Sequence, residues 1–152
     1  MGCGESQPKL ALTWDEYNAE FLRETETLRL PPGYRWPAQA PDSRLTEGIP
    51  NTYEEGCGLS DADGYWYMAW VKEWLDTRIA DPVAAREALL QVERVKETYF
   101  YRVANDADGK VWYDNMIRRA KLGDPGPMEE YFIANTPTLL RDREEESGGT
   151  AP

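Results

Sequence analysis

Trp66, Trp70 and Trp74 recur at every fourth position, and residues so spaced lie together on one face of a helix. Tyr67, Val71 and Leu75 stand beside them, so the segment carries too much apolar surface for the outside of a domain. Ser60 and Asp63 form an S-x-x-D capping pair just upstream. A helix opened there and running to about Ile79 is expected at the centre of the fold.

The flanking segments also read as helices. Thr13 and Glu16 make a capping box, and Trp14, Tyr17, Phe21 and Leu28 form a stripe that ends at Pro31-Pro32-Gly33. Asp81-Pro82 opens a helix extending to about Tyr101, with Ala85, Leu89, Val92, Tyr99 and Val103 on one side. Asn105 to Gly109 is a turn by composition, followed by a helix carrying Val111, Trp112, Met116 and Ala120. Arg118, Arg119 and Lys121 and then Gly123 mark its end. Asp124-Pro125-Gly126-Pro127 leads into a last short helix with Tyr131, Phe132 and Ile133, closed by Asn135 and Pro137. The expectation is an all-α fold, a single small domain of about five helices. Its alternative is local: residues 98–103 and 110–113 are rich in β-branched and aromatic side chains around Asp108-Gly109, and pair as a hairpin near 98–113.

The chain's 152 residues suit one domain with tails. Residues 1–12 read as a flexible polar tether, 13–140 as the helical domain and 141–152 as a charged, Gly-rich disordered tail. Inside the domain, residues 30–59 hold Pro31, Pro32, Pro37, Pro41 and Pro50. Each removes an amide donor and fixes φ, so this is a long irregular arm. Tyr34, Trp36, Ile49 and Tyr53 are expected to pin it to the helices.

Histidine is absent, which removes the commonest general base and metal ligand and excludes any Ser-His or Cys-His nucleophile. Two cysteines are too few for a thiolate zinc site. Twenty-eight acidic against 17 basic residues give a net charge of −11, so the chain's own field opposes nucleic acid. Asp106, Asp108, Gly109 and Val111 imitate a calcium loop, but Ala104 and Asn115 fall where its anchoring ligands belong. Asp61, Asp63 and Gly64 fail likewise, because Leu59 falls first. Neither metal nor cofactor is expected, and no catalytic residue is assigned. Glu54, Glu55, Glu73 and Asp76 are the acids from which a carboxylate hydrolase acting on glycans would draw its pair; their plainer reading is a solvated acidic face. Arg94, Lys96, Arg102, Arg118, Arg119 and Lys121 are interspersed with acids and read as a salt-bridged surface.

Met1-Gly2-Cys3-Gly4-Glu5-Ser6 matches a myristoylation pattern with an adjacent cysteine, and Gly2-Cys3-Gly4 also looks like the start of a mature bacterial lipoprotein. Either reading makes Cys3 or Gly2 the lipid anchor and the only membrane contact. Cys57 then stays buried as a small apolar side chain, or instead pairs with Cys3 in an oxidising compartment. The two outcomes exclude one another.

Leu30-Pro31-Pro32-Gly33-Tyr34, Trp36-Pro37, Tyr53 to Gly58, Tyr65-Trp66, Ala69 to Leu75 and Leu122 to Pro125 together resemble small exported or envelope-associated bacterial proteins of uncharacterised function. The resemblance spans about residues 28–135 and implies localisation at the cell envelope, with no activity attached. The leading expectation is therefore a non-enzymatic envelope protein, lipid-tethered or secreted, that binds a protein or glycan partner through aromatic surface. Trp36, Tyr53, Tyr67 and Trp70 are the candidate binding residues, against the competing reading that the aromatic stripe is core. A cytoplasmic acidic regulatory or adaptor domain is the alternative, and the glycan hydrolase a third.

Overall fold

The computed structural model describes residues 11–41 and 52–139. Its order is β1 (Ala11–Leu12), α1 (Trp14–Thr25), β2 (Tyr53–Glu54), α2 (Cys57–Thr77), α3 (Pro82–Glu93), a 3₁₀ turn (Arg94–Glu97), a π-helical turn (Phe100–Ala104), α4 (Ala107–Lys121) and α5 (Gly126–Leu139). The fold is mostly α, a small single domain, as the sequence implies. Among the described residues no helix is long and apolar enough to cross a membrane.

α2 is the axle. Trp66, Trp70, Tyr65, Tyr67, Met68 and Val71 are all buried, on every side of the helix, because α1, α3 and α5 pack around it. The core falls into two clusters. One joins α2 to α3, α4 and α5, and the other joins α1 to Leu12, Tyr53, Cys57 and Ala62.

α1 starts at the expected capping box, with Thr13 and Glu16 exchanging side-chain and backbone bonds at 3.2 and 2.9 Å. α2 does not start where the sequence implies. It begins at Cys57, and Ser60 and Asp63 lie inside it, both buried. Its N-cap is Gly56 at φ 89°, without a side-chain cap. The missing acceptor comes from another helix: Glu20 of α1 takes the N–H of Gly56 at 3.0 and 3.1 Å through its two oxygens and that of Gly58 at 3.1 Å. A carboxylate at the positive end of a helix is favourable, whichever element supplies it. Gly58 makes this approach feasible, since a Cβ there would strike the Tyr17 carbonyl and sit 2.7 Å from Phe21 N.

The described part of the arm is held by donors from the helices, because its prolines leave carbonyls without amide partners. Tyr65 OH donates to Arg35 O at 2.6 Å, Trp70 Nε1 to Arg29 O at 2.8 Å and Tyr17 OH to Pro41 O at 3.0 Å. Asn18 Oδ1 accepts from Ala40 N at 2.7 Å. Pro31 to Tyr34 closes a turn with Gly33 at φ 85° and Tyr34 N donating to Pro31 O, the conformation a Pro-Gly centre favours. Ile49 lies outside the described residues.

Other expectations change. The hairpin near 98–113 is replaced by helix: Asp106 caps α4 by accepting from Gly109 N at 2.8 Å, so Gly109 belongs to the first turn. The strand pair forms elsewhere, antiparallel between Ala11–Leu12 and Tyr53–Glu54, drawing the end of the tether into the domain. The helix expected to continue to Tyr101 stops at Glu93 and tightens to 3₁₀; Thr98 then turns the chain, donating to Val95 O at 2.6 Å and accepting from Tyr101 N at 3.2 Å. α5 runs to Leu139, past the expected closure at Asn135. The expected tail, 141–152, lies outside the described residues.

Candidate functional site

A cleft of about 330 Å³ opens where α1 ends, α2 passes and the 3₁₀ and π turns meet. Glu24, Thr27 and Leu28 form one wall and Leu59 and Trp66 the second; Arg94, Glu97, Thr98, Tyr99 and Arg102 form the third. Stretches of 3₁₀ and π geometry occur often at functional sites, and here the two follow each other along one wall.

Behind Glu24 lies Asp63, which is 1% exposed. Phe100 N, the first residue of the π turn, donates to its Oδ2 at 2.9 Å. Its Oδ1 receives no N–H or hydroxyl, yet the Asp63 side chain is in hydrogen-bonding contact with Glu24. Two carboxyl groups bond to one another when a proton lies between them. Burial, then the Glu24 hydrogen bond, push Asp63 up to about 9, against the opposing pull of the Phe100 amide. At neutral pH Asp63 is therefore a neutral acid donating to Glu24, and the cleft faces the remaining carboxylate. Tyr99 is raised as well, by burial and then by Glu20, Glu55 and Glu54.

The other charges on the cleft are engaged to different degrees. Arg94 pairs with Glu97 at 3.4 Å and reaches Gln91 Oε1 at 3.4 Å. Arg102 donates Nε to Glu97 O at 3.2 Å, and its terminal nitrogens form no bond among the described residues.

The four aromatic residues read from the sequence as binding residues do not meet at the surface. Tyr53 stacks on Tyr17, ring centroids 4.1 Å apart, and is buried. Tyr67 is fully buried, edge-on to Tyr113 and Tyr131 at 5.3 and 5.4 Å. Trp70 is 1% exposed beneath the Arg29 guanidinium. Trp36 is half-buried between Phe21 and Tyr65. A small domain has little apolar area to spare, and these rings supply its core. The exposed aromatic is instead Trp112, 47% exposed beside Val111 and leaning on Tyr131 at 5.6 Å.

None of Glu54, Glu55, Glu73 and Asp76 lines the cleft, and Asp76 pairs with Lys72 at 2.8 Å. Four of the six basic residues form the mixed surface expected, Arg94 with Glu97, Lys96 with Asp114 and Lys121 with Glu93 at 3.4, 3.5 and 2.6 Å, and Arg119 with Asp124; Arg102 and Arg118 make no ion pair among the described residues, and Arg118 bonds Asn115 instead. Among the described residues no three acids or cysteines stand together to hold a metal ion. Cys57 is 1% exposed and disulfide-bonded; Cys3, the expected lipid anchor, and Gly2 lie outside the described residues.

Sequence reasoning passed over Glu24, placed Arg102 in the salt-bridged basic surface and took Asp63 for a cap. The available signal was its register: Asp63 stands three residues before Trp66 and seven before Trp70, an acid on the apolar stripe. No family model matches the chain, and no curated protein or solved structure shows significant similarity to it.

Proposed function

We propose that this chain is a non-enzymatic binding module of the cell envelope, exported and working outside the cytoplasm, with the cleft beside Glu24 as its binding surface. The observation that carries the proposal is the disulfide at Cys57. Structural disulfides persist in oxidising compartments and are rare in reduced cytosol. A disulfide also disfavours the alternative of a cytoplasmic adaptor with free thiols.

The hydrolase reading has one observation behind it, since a carboxyl pair sharing a proton is the arrangement of aspartic hydrolases. Two facts oppose it. Asp63 is too buried to meet a substrate bond, and glycoside cleavage needs carboxyl groups about 5 Å or more apart rather than bonded to each other.

Intact-mass spectrometry of the protein from its native host, with and without reductant, tests the proposal. A gain of two hydrogens on reduction supports export with a bridged Cys57. An acyl mass on Gly2 together with that gain supports the lipid-tethered form, whereas an acyl group on the Cys3 sulfur leaves Cys57 without a second cysteine in the chain and overturns the bridge that carries the proposal. An unmodified chain with two free thiols overturns the proposal in favour of the cytoplasmic adaptor.

A further inference from the structure

Resting on that reading of the cleft, we propose that its ligand is a small zwitterion of the α-amino acid class, with its ammonium on Glu24 and its carboxylate on Arg102. The volume, about 330 Å³, lies at the lower end of small-molecule sites and excludes a folded partner or a long glycan from the interior.

The charges then select among small ligands. Arg94 and Glu97 neutralise each other across the rim, which leaves one acid and one base with bonding capacity to spare. Glu24 is supported from behind by Asp63, itself held by the Phe100 amide at 2.9 Å, and meets the Thr27 hydroxyl at 3.5 Å through Oε1, which leaves the carboxylate with further acceptor positions toward the cleft. Arg102 is anchored through Nε to Glu97 O, which fixes the guanidinium plane and leaves its terminal N–H groups for a carboxylate. A simple anion would meet Glu24 and a simple cation would meet Arg102; a molecule bearing both charges satisfies both. Trp66 and Leu59 supply the apolar wall for a side chain.

Asp63 accounts for the unusual support. Its Oδ2 is taken by the Phe100 amide, so Oδ1, which receives no donor, is the oxygen that bonds Glu24. The role of that bond is to hold Glu24 toward the cleft.

The test uses the oxidised full-length chain, titrated by calorimetry and by NMR of its Trp Nε1–H signals with each common L-α-amino acid, then with the amide and the N-acetyl derivative of any that binds. The expected result is sub-millimolar binding of at least one free amino acid, weakened tenfold or more by either derivatisation. Glu24→Gln and Arg102→Gln should each weaken it by tenfold or more; Arg102 is exposed, so its variant folds. Binding by no free amino acid, or binding unchanged in both variants, overturns the inference. An amide or N-acetyl form that binds as well as its parent overturns the zwitterion but leaves the cleft a binding site. Silence of every Trp signal toward all of these probes and toward chitobiose removes the cleft reading too.

Discussion

Replacing Asp63 by Asn should flatten the pH dependence of stability. Asp63 is raised from an ordinary carboxyl value near 3.8 to about 9 by burial and by its bond to Glu24. Between those values the folded chain holds a proton that the unfolded chain has released. Its contribution to stability is complete below about pH 4 and declines as pH rises toward 9. The slope is set by one proton, about 1.4 kcal/mol per pH unit. The substituted amide keeps the geometry, since its carbonyl still accepts from Phe100 N and its NH₂ group donates to Glu24, but it does not titrate. Urea unfolding of both chains at pH 5, 6, 7 and 8 should show the variant gaining about 3 kcal/mol on the parent between pH 5 and 7, from that slope. A gap that does not change with pH, or a variant that loses ground as pH rises, would refute the shared proton.

Two other substitutions probe the packing. Gly58→Ala places a methyl against backbone atoms of α1, Tyr17 O and Phe21 N, which do not yield as a side chain would; thermal melts should show a loss of about 2–3 kcal/mol, and an unchanged melting point would refute the close approach. Tyr67→Phe removes a fully buried hydroxyl that has no partner, so stability by denaturant titration should stay level or rise by up to about 1 kcal/mol. A loss larger than that would reveal a bond to Tyr67 OH.

The helices followed from local rules where the chain carries its own signals. Thr13 with Glu16 acts within one turn, and α1 starts where that capping box places it; α4 starts at Ala107, inside the stretch that composition makes a turn, because Asp106 accepts from Gly109 N and caps it. The same rules misplaced the start of α2, because its cap belongs to Glu20, 36 residues before Gly56. Ser60 and Asp63 have the right spacing for a cap, yet both are buried within the helix. The hairpin near 98–113 failed for a related reason: the carboxyl of Asp63 and the hydroxyl of Thr98 occupy the backbone donors of Phe100 and Tyr101, so the segment winds instead of extending.

What could be read from residues alone was the class of fold, the central place of the Trp66, Trp70 and Trp74 helix, the pinned proline arm and the absence of histidine chemistry. These depend on periodicity, on missing amide donors and on counting, all properties of neighbours in the chain. Which aromatic rings are core, which acid is neutral and where a cleft opens depend on partners far apart in sequence. Glu24 and Asp63 are 39 residues apart and Asp63 and Phe100 are 37 apart; their shared environment, and with it the charge left facing the cleft, arises only when α1 and the π turn close on α2 and exclude water from the carboxyl between them.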